Sequence, residues 1–258
     1  MLKRLKAVFW DVDGTLAETE MGGHRLAFNR AFAEAGLPWH WDPDTYRRLL
    51  QVPGGRERIG AFLAEVEGEP CAPERLDQLQ ARKQVHYREL VAAGGLAPRA
   101  GVVRLLAELA AAGVPQAIVT TSGRSAVTAL MQASFGELQA AFRFWVCGDD
   151  VGRKKPDPEA YRLATEQVQV DPDQILVLED SAQGLAAAQA AGLGSLVTLS
   201  QMSASEPESV FAGALAVLDG LGEPAQPAVV IRGPTCPGGQ VTLSYLQDLL
   251  LEREPGDG

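Results

Sequence analysis

The feature that most constrains the fold is a regular alternation of helical and strand patterns after Pro98. Predicted helices cover 103–112, 124–133, 158–168 and 182–191. Predicted strands cover 116–120, 142–147, 174–178 and 195–199, and we expect 195–199 to be the last core strand. Such alternation is typical of a parallel sheet covered by helices. The sequence therefore predicts an α/β fold with a Rossmann-like, doubly wound parallel sheet.

The chain before that alternation reads as one short strand followed by a helical insert. Residues 6–10 are predicted to form a short buried strand that ends at a polar turn, and from residue 18 to about 95 the spacing of apolar residues is helical, with no convincing strand. We therefore predict three parts: a catalytic core of residues 1–17 and 96–220, an all-helical cap domain of residues 18–95, and a C-terminal extension of residues 221–258.

The C-terminal extension differs in composition from the rest of the chain. Segments rich in proline and glycine flank the apolar residues 229–231, and a terminal amphipathic helix is predicted over 241–253. We expect this helix to pack Leu246, Leu249 and Leu250 on the core, rather than to bind a partner. No activity is predicted for the extension.

Composition and charge argue against several classes of function. The formal net charge of −10 repels a nucleic-acid backbone, so we expect no nucleic-acid partner. We find neither a secretory signal nor an apolar run of about 20 residues, so we expect a cytoplasmic protein without a membrane span. The three cysteines are widely spaced and form no CxxC metal motif or disulfide framework.

Two carboxylates follow the first predicted strand. Asp11 and Asp13 are separated by one residue, and Gly14 tolerates a sharp turn that aims both into one cleft. A cation that binds one carboxylate relieves their repulsion and leaves the other for general acid chemistry. An ordinary turn is the alternative interpretation, because Asp and Gly are favoured turn residues.

A second acidic pair, Glu179 and Asp180, directly follows the apolar run 175–178. In an open parallel sheet, ligands bind outside the carboxyl ends of the strands, so both acidic pairs are expected at one edge. Oxygen ligands of this kind suit Mg²⁺, which also keeps waters and a substrate phosphate oxygen. Asp180 or Ser181 as a helix N-cap is compatible with this site.

Two further segments could bind an anion. Thr121 and Ser122 precede a helix and offer hydroxyl groups and free backbone N–H groups. Lys155 precedes a proline-stiffened turn and could neutralise a nucleophile and a phosphate. Taken singly, these residues could be a helix cap and a solvated lysine, but the order of all four elements along one alternating fold favours a shared site.

Together these segments resemble the haloacid dehalogenase superfamily of phosphatases. The resemblance is carried by 11–16, 120–122, 154–158 and 178–181, and it spans residues 6–219. The helical insert resembles the cap of the β-phosphoglucomutase-like subfamily. Residues 17–20, 24–25, 39–42 and 54–59 are similar to CbbY-type enzymes, whose characterised members hydrolyse xylulose-1,5-bisphosphate, a misfire product that inhibits Rubisco.

The resemblance implies roles for the core residues. Asp11 would be the nucleophile, Asp13 the general acid and then base, and Thr121 with Lys155 would clamp the phosphate, with Ser122 beside them. Mg²⁺ would be held by Asp11, the backbone carbonyl of Asp13 and Asp180, and Glu179 would be either a direct ligand or a neighbour of the ligands.

The resemblance also implies substrate contacts from the cap: Glu18, His24 and Arg56. The spacing to His24 departs from the family pattern, because residues 21–23 make the approach one residue longer than usual. The expected partner is a small phosphorylated sugar, and a monomer is favoured.

Three other functions remain possible at this stage. A mutase that returns the phosphoryl group to another hydroxyl shares every core residue. A halide-releasing dehalogenase needs neither Asp13 nor Mg²⁺. A non-catalytic binding module would be favoured by loss of a catalytic group, whereas Asp11, Asp13, Thr121, Lys155 and Asp180 are all present.

Overall fold

A computed structural model of the chain describes residues 5–252. Its centre is a sheet of seven strands: β1 Ala7–Trp10, β2 Gln116–Val119, β3 Phe142–Val146, β4 Ile175–Glu179, β5 Gly194–Thr198, β6 Ala216–Leu218 and β7 Val230–Arg232. The order across the sheet is β3-β2-β1-β4-β5-β6-β7, and every pair is parallel except β6–β7. The predicted α/β fold with a mostly parallel sheet is confirmed.

The central strands β1 and β4 are buried throughout because helices cover both faces of the sheet, and their one charged residue is Glu179 at the end of β4. Every residue of β1 and β4 is buried, so neither strand alternates between apolar and polar residues. Trp10 pairs in register with Leu178, which brings the ends of β1 and β4 together. The loops that follow these two strands therefore open at one edge of the sheet.

Nine helices lie within residues 5–252: α1 Arg25–Glu34, α2 Pro43–Leu49, α3 Gly55–Glu67, α4 Pro73–Ala92, α5 Val102–Ala111, α6 Arg124–Leu130, α7 Glu159–Val168, α8 Ala182–Ala190 and α9 Leu243–Glu252. The predicted elements of the core recur with bounds shifted by a few residues at most. The largest shift is in the helix predicted over 124–133, which changes after Leu130 to a π-helical turn, Met131–Phe135.

Helices α1–α4 form the insert between β1 and α5, and they contain an aromatic cluster of their own. Trp41 is fully buried, and its ring centroid lies 4.6 Å from that of Phe28 and 5.0 Å from that of Phe32. Ile59 and Leu63 of α3 also belong to this cluster, which is separate from the two clusters that contain the central strand residues. The boundaries proposed above for the cap and the extension stay predictions.

Strand β6 corrects one expectation, because 195–199 was predicted to be the last core strand. Ala216, Val217 and Leu218 pair in parallel with β5 and are buried. A strand of three residues is too short to show a sequence periodicity, and its identity depends on pairing with a distant strand. Strand β7 then closes this side of the sheet in the antiparallel direction.

The C-terminal helix α9 is packed into the main core. Leu246, Leu249 and Leu250 are buried in the same cluster as the central strand residues Val8 and Trp10, which confirms their expected packing. The helix begins two residues later than predicted, and Arg253 lies outside the described residues. The segment after β6 is therefore part of the hydrophobic core rather than a loosely attached tail.

Two further expectations concern membranes and cysteines. Among the described residues, no helix combines the length and apolar character needed to cross a bilayer. Cys71, Cys147 and Cys236 are free thiols.

We expect Leu250→Ala to destabilise the protein by about 2–5 kcal/mol, because it removes a fully buried side chain and leaves a cavity. Urea unfolding followed by circular dichroism measures this change in the free energy of unfolding. The neighbouring Leu251, which is 46% exposed, is the matched control. Leu251→Ala should change the free energy of unfolding by about 0.5 kcal/mol or less, and equal effects of the two variants would contradict the packing of α9.

Candidate active site

The segments that follow β1, β2, β3 and β4 bring the predicted core residues to one place. Asp11 follows β1, and its backbone N–H donates to the carbonyl of Leu178 in β4 at 3.0 Å. A cavity at this edge is lined by Asp11, Asp13, Thr121, Lys155 and Asp180, among others. The structure therefore brings the acidic pairs, the threonine and the lysine together.

Lys155 is the central cation of this edge. Its Nζ atom donates to Asp11 Oδ1 at 2.7 Å, to Glu179 Oε1 at 2.6 Å and to the carbonyl of Val119 at 2.7 Å. Burial by itself lowers the pKa of Lys155, but Asp11 and Glu179 outweigh it and raise the pKa above its ordinary value. Lys155 is therefore charged at neutral pH and fixes one oxygen of Asp11.

Glu179 is fully buried, and the protein itself occupies both of its oxygens. Oε1 accepts from Lys155 and, at 2.7 Å, from the Tyr161 hydroxyl. Oε2 accepts from the backbone N–H of Asp180 at 3.2 Å and from the hydroxyl of Ser181 at 3.2 Å. Glu179 lines neither cavity beside the catalytic edge, so its carboxylate acts on Lys155 rather than facing a substrate.

The site fits a divalent cation. One oxygen each of Asp11, Glu179 and Asp180 lie within 4.8 Å of one another, and Lys155 pairs with only two of these carboxylates, Asp11 and Glu179. Burial, opposed at Asp11 by Lys155, raises the pKa of both Asp11 and Asp180 well above the ordinary value. A hard cation bound by oxygen ligands would remove this electrostatic penalty.

Gly14 leaves the space that Asp180 uses. Its backbone adopts a φ of +87°, and a Cβ atom built at this position would lie 2.1 Å from Asp180 Oδ2. Any larger residue would thus push the carboxylate out of the acidic cluster. The turn after β1 needs glycine both for its backbone conformation and for the proposed metal site.

Asp13 is held by donors from the insert and the core. Its Oδ1 accepts from the Thr19 hydroxyl at 2.5 Å and from His24 Nε2 at 3.0 Å, and its Oδ2 accepts from Ser122 Oγ at 2.5 Å. Burial alone raises the pKa of Asp13, but the hydrogen bonds from His24, Ser122 and Thr19 lower it well below its ordinary value. In this geometry Asp13 is a carboxylate, the form required of a general base.

His24 connects Asp13 to a buried lysine of α4. Lys83 Nζ lies 2.9 Å from His24 Nδ1, and the His24 ring stacks on Tyr87 with centroids 4.2 Å apart. Because an ammonium group only donates, Nδ1 accepts and Nε2 carries the proton that is donated to Asp13. The longer approach through residues 21–23 is accommodated by a π-helical turn, Glu20–His24, which places His24 at the site.

Of the other two substrate contacts predicted from the cap, Arg56 lines a cavity and Glu18 does not. Arg56 lines a second cavity and pairs with Asp77 at 2.5 Å. Glu18 lines neither cavity; it pairs with Arg99 at 3.2 Å and accepts from the backbone N–H of Gln201 at 3.3 Å. Thr121 borders both cavities, whereas the Ser122 hydroxyl is committed to Asp13. The substrate-binding roles of these residues stay predictions.

Sequence reasoning missed several charged residues that line the cavities, among them Glu20, Arg58 and Lys83. Glu20 and Arg58 border both cavities, and Lys83 borders the second. The segments 17–20 and 54–59 were singled out by resemblance, so the signal for Glu20 and Arg58 was present. For Lys83, a single lysine in a twenty-residue helix gave no usable signal.

A family model for haloacid dehalogenase-like hydrolases matches residues 5–192. The chain belongs to the haloacid dehalogenase-like hydrolase family. Among its relatives, protein CbbY of Cupriavidus necator is 43% identical over 228 residues, which cover 86% of this chain and 88% of the relative. Several relatives are named as phosphatases, such as N-acetylmuramic acid 6-phosphate phosphatase of Pseudomonas aeruginosa at 33% identity, and the chain is a phosphatase of this family.

Solved structures agree with this assignment. CbbY from Rhodobacter sphaeroides in complex with phosphate is 42% identical, with a TM-score of 0.78 over 84% of this chain and 94% of that one. A mutant of the same protein has been solved in complex with xylulose-1,5-bisphosphate. A candidate β-phosphoglucomutase from Thermotoga maritima is 27% identical, with a TM-score of 0.62 over 83% of this chain and 94% of that one.

The buried position of Lys83 predicts a pH-dependent stability. Burial lowers its pKa from about 10.5 to about 8, so between these values the unfolded chain binds more protons than the folded one. The free energy of unfolding should therefore rise with pH in this window, and Lys83→Met should remove that rise. Relative to the variant, the wild type should gain about 1–2 kcal/mol between pH 7.5 and 9.5 in urea unfolding.

Lys6→Met is the matched control, because Lys6 is exposed. It should leave the pH dependence of the wild type unchanged. A Lys83→Met variant that retains the full rise between pH 7.5 and 9.5 would contradict the assignment of this rise to Lys83.

Proposed function

We propose that this chain is a Mg²⁺-dependent sugar-phosphate phosphatase that acts through an aspartyl-phosphate on Asp11, with xylulose-1,5-bisphosphate as the best-supported substrate. The observation that carries the proposal is the Asp11 carboxylate, held by Lys155 at 2.7 Å beside Asp13 and Asp180 in one cavity. The CbbY mutant crystallised with xylulose-1,5-bisphosphate, together with CbbY relatives at 42–43% identity, supports the choice of substrate.

In the first step, the free oxygen of Asp11 attacks phosphorus, and the bond from phosphorus to the sugar oxygen breaks. Asp13 gives its proton to the departing oxygen. An anionic phosphate beside Asp13 opposes the donors that keep it ionised, so substrate binding favours the protonated form needed here. Lys155 keeps Asp11 oriented and compensates its charge as the two anions approach.

In the second step, Asp13 is the carboxylate that removes a proton from water, and this water attacks phosphorus to regenerate Asp11. Mg²⁺, held by Asp11, the Asp13 backbone carbonyl and Asp180, would neutralise the charge of the phosphoryl group. The hydrogen bonds from Thr19 and Ser122 hold Asp13 in place for both steps. Glu179 would act through its contact with Lys155.

The insert supplies groups that suit a phosphorylated sugar. Arg58 and Lys83 can bind an anionic group, and Glu20 can accept hydrogen bonds from sugar hydroxyls. The insert is fastened over the core by the ion pair of Lys154 with Glu57 at 2.6 Å and by the hydrogen bond of Gln183 to the Gln51 carbonyl at 3.1 Å. Substrate choice should thus reside in this half of the cleft.

A phosphosugar mutase is the second candidate, favoured by the similarity to the Thermotoga maritima protein. Both reactions use the same core residues, and they differ in whether water or a second sugar hydroxyl accepts the phosphoryl group. We also propose that the protein works in the cytoplasm as a monomer; a polypeptide partner is not needed to complete the acidic cluster, since all its members belong to this chain.

Asp11→Asn should abolish phosphate release from xylulose-1,5-bisphosphate, with a loss of about 10⁴-fold or more in kcat, because an amide cannot form the covalent intermediate. Phosphate release in the presence of Mg²⁺ is the measurement. Asp171→Asn, at an exposed position whose side chain makes no cap hydrogen bond, is the control and should retain wild-type activity. Substantial activity of Asp11→Asn would refute the covalent route.

Removing the divalent cation with EDTA should stop phosphate release, and added Mg²⁺ should restore it, because the cluster of three buried carboxylates has one lysine, which pairs with only two of them. The assay should cover pentose and hexose mono- and bisphosphates, with separate detection of free phosphate and isomerised sugar. Isomerised sugar would indicate the mutase. EDTA-insensitive halide release would indicate a dehalogenase, and inert protein would favour a binding module.

A further inference from the structure

Tyr46 of α2 lines neither cavity, yet its hydroxyl contacts two residues that line both. The hydroxyl donates to Glu20 Oε2 and accepts from Arg58 Nη1 at 3.1 Å. One neutral oxygen therefore lies between a carboxylate and a guanidinium group, and it links three segments of the insert.

The Tyr46 side chain is fixed by its surroundings. It is fully buried, and its ring centroid lies 6.2 Å from Phe28 and 6.0 Å from Trp41 in the aromatic cluster. Burial and the nearby Glu20 raise its pKa well above the ordinary value, so the hydroxyl stays protonated and can donate. The position of the Tyr46 hydroxyl is therefore determined by the packing of its ring in the aromatic cluster.

Arg58 is anchored by two backbone carbonyls at and just after the end of α2. Its Nε donates to the carbonyl of Leu49 at 3.1 Å and to that of Val52 at 3.3 Å, and its guanidinium carbon lies 5.4 Å from the centroid of the Tyr46 ring. Within residues 5–252, no direct ion pair joins Arg58 to Glu20. Both groups keep their charges available to a ligand because the hydroxyl separates them.

We infer that Tyr46 is a positioning residue of the substrate site, whose hydroxyl holds Glu20 and Arg58 apart and oriented toward the cavities. This inference rests on the proposed function, in which Arg58 binds an anionic group and Glu20 accepts from sugar hydroxyls. Without the hydroxyl, the guanidinium and the carboxylate would pair with each other and lose their affinity for the substrate.

Tyr46→Phe keeps the ring and removes only the oxygen, so it tests this role directly. We expect KM for xylulose-1,5-bisphosphate to rise by about ten-fold, because a charge-assisted hydrogen-bond network is lost, and kcat to change by less than about three-fold. In a Glu20→Ala background, Tyr46→Phe should raise KM by less than about two-fold, because Arg58 then has no Glu20 carboxylate to pair with. An equal increase in both backgrounds would overturn the inference.

Tyr245→Phe is the matched control, because it removes a hydroxyl that donates to the Pro234 carbonyl at 2.9 Å, far along the chain from the insert. Tyr245→Phe should leave KM unchanged. If it raised KM as much as Tyr46→Phe does, the effect at Tyr46 would reflect a general loss of stability, and the inference would be overturned. A crystal structure of Tyr46→Phe gives a readout independent of activity. Arg58 and Glu20 should lie within 4 Å of each other, and their continued separation would refute the inference even if another substrate proves correct.

Discussion

The interaction on which the catalytic edge depends is that of Lys155 with two buried carboxylates. Its Nζ lies 2.7 Å from Asp11 and 2.6 Å from Glu179, which end the adjacent strands β1 and β4. Removing one member of such a network leaves an uncompensated buried charge, so each residue requires the others. The pairing of β1 with β4 places both carboxylates beside Lys155, and the same contacts orient Asp11, the proposed nucleophile.

In the insert, aromatic rings hold the charged side chains that line the cavities. Its charged groups, Glu20, Arg58 and Lys83, are backed by aromatic rings rather than by backbone hydrogen bonds alone, and Lys83 lies 4.9 Å from the centroid of Phe28. Rings pack in a limited set of orientations, so they hold neighbouring charged side chains at low entropic cost. In the proposed function, phosphoryl chemistry would use the residues at the strand ends, and substrate choice would depend on the charged groups that this aromatic cluster supports.

The core site could be predicted because its residues follow strand ends, where the sequence changes abruptly from apolar to polar. The insert could not be predicted to the same depth, because a helical pattern does not say which face meets the cleft. Arg56 and Arg58 are two positions apart on α3 and therefore point about 200° apart around the helix. Only the packing of the insert shows that Arg58 borders both cavities while Arg56 pairs with Asp77.

Arg99 joins the loop that bears Asp11 and Asp13 to the segment after β5. It donates to the carbonyl of Gly14 and, beyond the residues matched by the family model, to those of Thr198 and Leu199. A chain cut at residue 192 would contain the motif residues named above and still lose the Thr198 and Leu199 carbonyls that bind this arginine, along with β5 and the strands beyond it. The residues that match the family model, 5–192, are thus fewer than those that the sheet needs in order to fold, since β5, β6 and β7 lie beyond them.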